Sequence, residues 1–66
     1  MRYWFTIKDA VPEDVARVLW DNISRYNANL TLLPDRLYVY GETDEPSVLE
    51  KIAKAIVATG YPVERG

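Results

Sequence analysis

Apolar and polar residues alternate along the start of the chain. Between positions 2 and 8, Tyr3, Phe5 and Ile7 fall on one side and are separated by polar or amphipathic residues. A period of two, with aromatic and β-branched content, predicts a β-strand with one buried face. The opposite face of this strand then carries Arg2, Trp4, Thr6 and Lys8.

The following segment has helical spacing. Pro12 suits the first turn of a helix, where no N–H is needed, and the acidic residues after it favour the positive end of the helix dipole. We predict a helix from Pro12 to the region 27–29. Trp20 lies off its apolar stripe and is expected to be partly exposed, whereas Asn22 falls on the stripe and is expected at the sheet margin or bonded to backbone. The stripe consists of Val15, Val18, Leu19, Ile23 and Tyr26.

A β-hairpin is predicted in the middle of the chain. Residues 30–32 form a short second strand, Pro34 suits the second position of a β-turn, and residues 36–41 form the third strand. In the third strand one face carries Leu37 and Val39, and the other carries Arg36, Tyr38 and Tyr40.

A second helix and a fourth strand complete the predicted order. We expect the helix to begin with a cap at Asp44 or with a capping box formed by Ser47 and Glu50. Gly60 suits a left-handed residue at its end. Residues 61–64 are predicted as the last strand, at a sheet edge because they contain a proline. The buried stripe of the helix is Val48, Leu49, Ile52, Ala55 and Ile56.

This order of elements predicts a single α+β domain over residues 1–66. We expect a ferredoxin-like βαββαβ sandwich, with a four-stranded antiparallel sheet and both helices on one face. In such a fold the first and third strands lie at the centre of the sheet, and no helix covers their outer face.

Composition removes several classes of function. The chain has no cysteine and no histidine, and its formal net charge is -2. Disulfides, thiolate–metal chemistry and the commonest general base are therefore absent. No glycine-rich phosphate loop is present, so we predict a non-enzymatic protein without a cofactor. No apolar run approaches the ~20 residues that span a bilayer, and the first residues do not form a signal peptide, so we expect a cytoplasmic protein with no membrane contact.

Apolar positions in the first helix and at the end of the chain have a familiar spacing. They are Leu19, Ile23, Ile56, Gly60 and Tyr61. With these residues the chain resembles the heavy-metal-associated (HMA) domains of copper chaperones and metal-transporting ATPases. When that family's Met-x-Cys-x-x-Cys loop is aligned without gaps from Phe5, its cysteines fall on Pro12 and Val15. The resemblance implies the fold but no soft-metal binding, since neither residue can coordinate such an ion.

The uncovered face of the predicted sheet is the main candidate for function. Large aromatic groups on an exposed face are typical of interfaces. We predict a binding module that contacts a protein partner or forms a weak homodimer, since a patch of roughly 400 Å² per copy buries less than a standard interface. Thr31 and Leu33 lie on its flank. The predicted binding face is Arg2, Trp4, Lys8, Arg36, Tyr38 and Tyr40.

Other interpretations of the same face stay open. Arg36-x-Tyr38-x-Tyr40, with Trp4 on the first strand, also resembles the RNA-recognition motif, which implies binding of single-stranded nucleic acid by base stacking. Alternatively, the aromatic residues are β-formers in cross-strand pairs and bind nothing.

The acidic residues near the first helix are a separate candidate. Asp9, Glu13 and Asp14 offer carboxylate oxygens to a hard cation. Acids in a first helical turn are also common for electrostatic reasons alone, and we favour that interpretation.

Overall fold

A computed structural model describes residues 1–65 of the chain. The elements are β1 (Arg2–Ile7), α1 (Glu13–Ile23), a 3₁₀ turn (Ser24–Tyr26), β2 (Asn29–Leu33), β3 (Arg36–Glu42), α2 (Pro46–Val57) and β4 (Glu64–Arg65). All strand pairs are antiparallel, and the sheet order is β2-β3-β1-β4. The α+β class, with a four-stranded antiparallel sheet, two helices and β1 and β3 at its centre, is therefore confirmed.

A single core lies between the sheet and the two helices. Alternate residues of the central strands point into it, as the period of two predicts. Both helices contribute to the same cluster and therefore cover the same side of the sheet. The fully buried members of this core are Ile7, Leu19, Ile23, Leu37, Val39, Ile52 and Ile56.

Helix α1 differs from the prediction in its stripe. Pro12 caps the helix with extended backbone, and Asn27, with a φ of 59°, ends the 3₁₀ turn that follows. Ala16 is buried, whereas Val18 is 61% exposed, so the assignment of Val18 to the core was wrong. The buried positions follow the i, i+3, i+7 spacing from Ala16, and this rotates Val18 toward solvent. Asn22 is exposed and needs no buried partner.

Helix α2 begins without the predicted side-chain cap. Glu45 is its N-cap residue and makes no capping hydrogen bond, and Pro46 occupies the first turn. A proline there removes one of the N–H groups that have no partner within the helix. Asp44 instead binds the N-terminal amine at 3.0 Å. The predicted cap at Asp44 and the capping box of Ser47 with Glu50 were therefore wrong.

The end of the chain also differs from the prediction. Gly60 has a φ of 85°, so the left-handed residue after α2 is confirmed. The fourth strand, however, is Glu64–Arg65 and not residues 61–64. Its two described residues pair with Phe5 and Thr6 of β1. The segment before it contains Pro62, which cannot donate a ladder hydrogen bond.

The longer helix, α2, has 12 residues. None of the helices in residues 1–65 combines the length and the apolar character that crossing a membrane requires.

Candidate functional site

Three aromatic side chains meet on the side of the sheet opposite to the helices; we call them the aromatic cluster. Its members are Trp4, Tyr38 and Tyr40. The ring centroids of Trp4 and Tyr40 lie 4.7 Å apart, with the planes stacked at 20°. The centroids of Trp4 and Tyr38 lie 5.3 Å apart, with the planes tilted by 54°. Both distances fall in the range in which aromatic pairs attract each other.

The pairing of the strands explains why these rings are so close. A two-residue turn joins Leu33 to Arg36, so these two residues exchange backbone hydrogen bonds. The alternation along β3 then directs the backbone groups of Tyr40 toward β2. Trp4 pairs with Tyr40 across β1 and β3 as a non-hydrogen-bonded pair, in which the Cα atoms approach to about 4.5 Å.

The tyrosine hydroxyls of the cluster are bonded to neighbours on the same face. The Tyr40 hydroxyl lies 3.2 Å from Thr31 Oγ1, and either group can donate. Arg36 Nη1 donates to the Tyr38 hydroxyl at 3.3 Å. Within the described part of the chain, no such bond holds Trp4, which is 42% exposed. The indole is therefore the most accessible part of a cluster whose other two rings are tethered.

Every predicted cation of the face has a carboxylate partner. Lys8 Nζ lies 2.9 Å from Glu64, and Arg2 Nε lies 3.9 Å from Glu42. Arg36 donates to both carboxylate oxygens of Asp35, at 3.0 and 3.3 Å. The formal charges of these three pairs cancel. The hydrogen bond that Arg36 donates is the main cause that lowers the pKa of Asp35. The bonds that Arg36 makes to Asp35 and Tyr38 raise the pKa of its guanidinium.

The structure brings together only part of the predicted binding face. Arg36 lies beside the aromatic cluster and donates a hydrogen bond to Tyr38. Arg2, in contrast, begins β1 and Lys8 directly follows its last residue, so the two lie about 20 Å apart for six steps of extended chain. The carboxylates of Glu42 and Glu64 were not foreseen, because finding them requires the strand register. Of the three carboxylate partners, only Asp35 could be recognised from the sequence, because it is the direct neighbour of Arg36.

The acidic residues near α1 are not grouped around a common point in the part of the chain that the structure describes. Glu13 is paired with Arg17 at 3.2 Å, one helical turn away. Across residues 1–65, no group of three or more metal-ligating side chains is placed to hold an ion. The geometry thus agrees with acids that interact with the positive end of a helix.

Comparisons with protein families, with curated proteins and with solved structures found no match to this chain.

Proposed function

We propose that this protein is a non-enzymatic binding module that contacts another protein through the open face of its sheet. Its fold is that of the ferredoxin-like βαββαβ domains. The order of the elements, the central position of β1 and β3, and the helices on one side all support this assignment.

The observation that carries the proposal is the exposed and oriented indole of Trp4. It lies on a central strand, is 42% exposed, and packs against two tyrosines of the neighbouring strand. Tryptophan, tyrosine and arginine are the residue types that dominate binding energy at protein interfaces. Side chains already held in place lose less conformational entropy on binding. An ordered aromatic cluster therefore suits a protein contact.

The charges of the face favour protein over single-stranded nucleic acid. Nucleic-acid surfaces of this type combine stacking rings with free cations that meet phosphates. Here Arg2, Lys8 and Arg36 are each engaged by a carboxylate. Phosphate binding would have to displace these carboxylates or accept their repulsion. A face of balanced charge around an aromatic centre fits a protein surface better.

The resemblance to HMA domains agrees with a protein that has no metal function. At the positions of the family's two cysteines, Pro12 caps α1 and Val15 packs against the core. In this chain the two positions therefore begin the helix and pack it against the core. The sequence contains no histidine and no cysteine, and no residue of the binding module has a catalytic role in this function.

The two tryptophans offer a matched experiment, because Trp20 on α1 is 40% exposed and Trp4 is 42% exposed. Wild type, Trp4→Ser and Trp20→Ser would be used to retain proteins from a nuclease-treated lysate, and each candidate would then be purified and titrated directly. We expect a partner that binds Trp4→Ser about tenfold more weakly, while Trp20→Ser binds as wild type does. Equal losses in both variants would contradict the proposal.

A second arm tests the nucleic-acid alternative. Trp20→Phe leaves Trp4 as the single tryptophan, so its fluorescence reports on the aromatic cluster. Single-stranded oligonucleotides would be titrated at low and at moderate salt. We expect no change in emission. Quenching that weakens steeply with salt and disappears in Tyr38→Ala would replace protein by nucleic acid as the ligand.

A further inference from the structure

Strand β2 is an edge of the sheet. In the order β2-β3-β1-β4 it pairs with β3 on one side, and no strand within residues 1–65 pairs with it on the other. An unpaired edge presents backbone donors and acceptors that can bind another strand.

The register identifies which groups point outward. Asn29, Thr31 and Leu33 form the hydrogen-bonded pairs with β3, because the two-residue turn fixes Leu33 as such a pair and the pattern alternates. Leu30 and Leu32 therefore direct both their N–H and C=O groups away from the sheet. This free edge has two donors and two acceptors.

The edge lacks the features that usually prevent strand addition. Charged residues, prolines and bulges protect most edges. Strand β2, Asn29–Leu33, contains no charged residue and no proline, and it pairs with β3 over its five positions without a break. Leu32 and Leu33, which point to opposite sides of the sheet, are 37% and 38% exposed.

The opposite edge of the sheet has the usual protection. Strand β4 has two residues, Glu64 and Arg65, and both are charged. Pro62 precedes them. Within residues 1–65, β1 is also unpaired on that side at Arg2–Trp4, but Arg2 is charged. The contrast singles out β2 as the open edge that carries no charge.

We propose that β2 pairs in antiparallel fashion with β2 of a second copy of this chain, with Thr31 on the two-fold axis. Leu30 then exchanges both backbone hydrogen bonds with the partner's Leu32, and symmetry repeats the exchange, which gives four new bonds. On the helix side of the sheet, the same pairs bring leucine against leucine. On the open side, Thr31 faces the partner's Thr31 and Leu33 faces the partner's Asn29.

A second copy fits this edge for reasons of register and charge. Outward groups occur at alternate residues, and the register centred on Thr31 joins them while it overlaps the five positions of β2 completely. No like charges meet, because the segment has none. The contact is small compared with a standard interface, so the dimer forms only at high protein concentration. The dimer depends on backbone geometry and does not require the aromatic cluster to bind anything.

Amide hydrogen exchange measured at rising protein concentration tests the proposal residue by residue. We expect the N–H groups of Leu30 and Leu32 to exchange rapidly in dilute protein and more slowly as concentration rises. The N–H groups of Thr31 and Leu33 already bond to β3 and should show no such dependence. Sedimentation should show the mass rising from 7.6 kDa toward twice that value over the same range.

Three variants complete the experiment. Thr31→Lys places like charges against each other on the two-fold axis, and we expect a monomer at every concentration. Val18→Lys adds the same charge at a 61% exposed position of α1 and should dimerise as wild type does. Leu32→Pro removes one outward N–H without touching the ladder to β3, and it should also prevent dimerisation. Circular dichroism would show that each variant is folded.

Several outcomes would overturn the proposal. A wild-type protein that stays monomeric at the highest concentration has no β2 contact. A dimer that survives Thr31→Lys and Leu32→Pro but is lost in Trp4→Ser uses the aromatic cluster instead. Slow exchange at Leu30 and Leu32 that does not depend on concentration means that something other than a second copy covers the edge.

Discussion

The two faces of the sheet are built from the same strands and are organised by different interactions. On the covered face, Leu37 and Val39 are completely buried under the helices. On the open face, the next residues along β3 keep partial exposure, and their hydroxyls bond to side chains. Close packing holds one face, and ring stacking with local hydrogen bonds holds the other.

The tyrosines show the difference most clearly. Tyr3 lies on the covered face with its hydroxyl buried and, within residues 1–65, without a hydrogen-bond partner. Tyr38 and Tyr40 lie on the open face and have partners for theirs. A buried polar group without a partner costs stability, whereas a half-exposed one retains water as an alternative. A tyrosine hydroxyl thus lowers the stability of the covered face, whereas on the open face it holds its ring in place.

The largest test of this comparison removes bulk from each face in turn. Leu37→Ala should lower the free energy of unfolding by about 2–5 kcal/mol, because it leaves a cavity in a packed core. Trp4→Ala removes two aromatic contacts from a surface and should cost only about 1–2 kcal/mol. Urea unfolding measures both. Equal losses would show that the open face is as important for stability as the core.

A second test adds bulk beneath Tyr3. A Cβ on Gly41 would lie 2.5 Å from the Tyr3 hydroxyl oxygen and 2.9 Å from the ring carbon that carries it. Gly41→Ala should therefore cost about 1–3 kcal/mol through overpacking. In a Tyr3→Phe background the same change should cost less, because the nearest atom is gone. A cost that is the same in both backgrounds would mean that Gly41 is required for another reason.

Removal of single hydroxyls should have opposite effects on the two faces. Tyr40→Phe loses the bond to Thr31 and should cost about 0.5–1.5 kcal/mol. Tyr3→Phe removes a buried group without a partner and should leave stability unchanged or raise it by up to about 1 kcal/mol. Thermal unfolding would measure both variants. Destabilisation by Tyr3→Phe would mean that its hydroxyl has a partner in solution.

The smallest effect is a dependence on alkaline pH. Burial raises the pKa of Tyr3 above its ordinary value near 10. The folded state therefore holds this proton more tightly than the unfolded state. The free energy of unfolding keeps its full value below about pH 10 and falls as the pH rises through the folded pKa. Above that pH, the free energy of unfolding of wild type should fall relative to that of Tyr3→Phe. A difference that does not change with pH would mean that the Tyr3 hydroxyl is hydrated.

Local sequence patterns were sufficient for the two helices, the first three strands and the faces of the central strands, but not for the position of the fourth strand. The alternation around Tyr3 and Phe5 identified β1, Pro34 identified the hairpin turn, and Gly60 identified the end of α2. These signals depend on neighbouring residues and on fixed backbone geometry, so they can be recognised without the fold. For the same reason the sequence placed Trp4 and the tyrosines of β3 on one face.

Relations between distant segments depended on the folded sheet. The partners of Arg2 and Lys8 come from strands far away in the sequence, and only the register of β1 with β3 and β4 brings them together. The exposure of Val18 depends on how α1 is rotated against its neighbours. The sequence alone could therefore propose an aromatic face with three cations. The tertiary structure showed that each cation has a carboxylate partner and that β2 is an edge without charge, because pairing and burial are properties of residues brought together by folding.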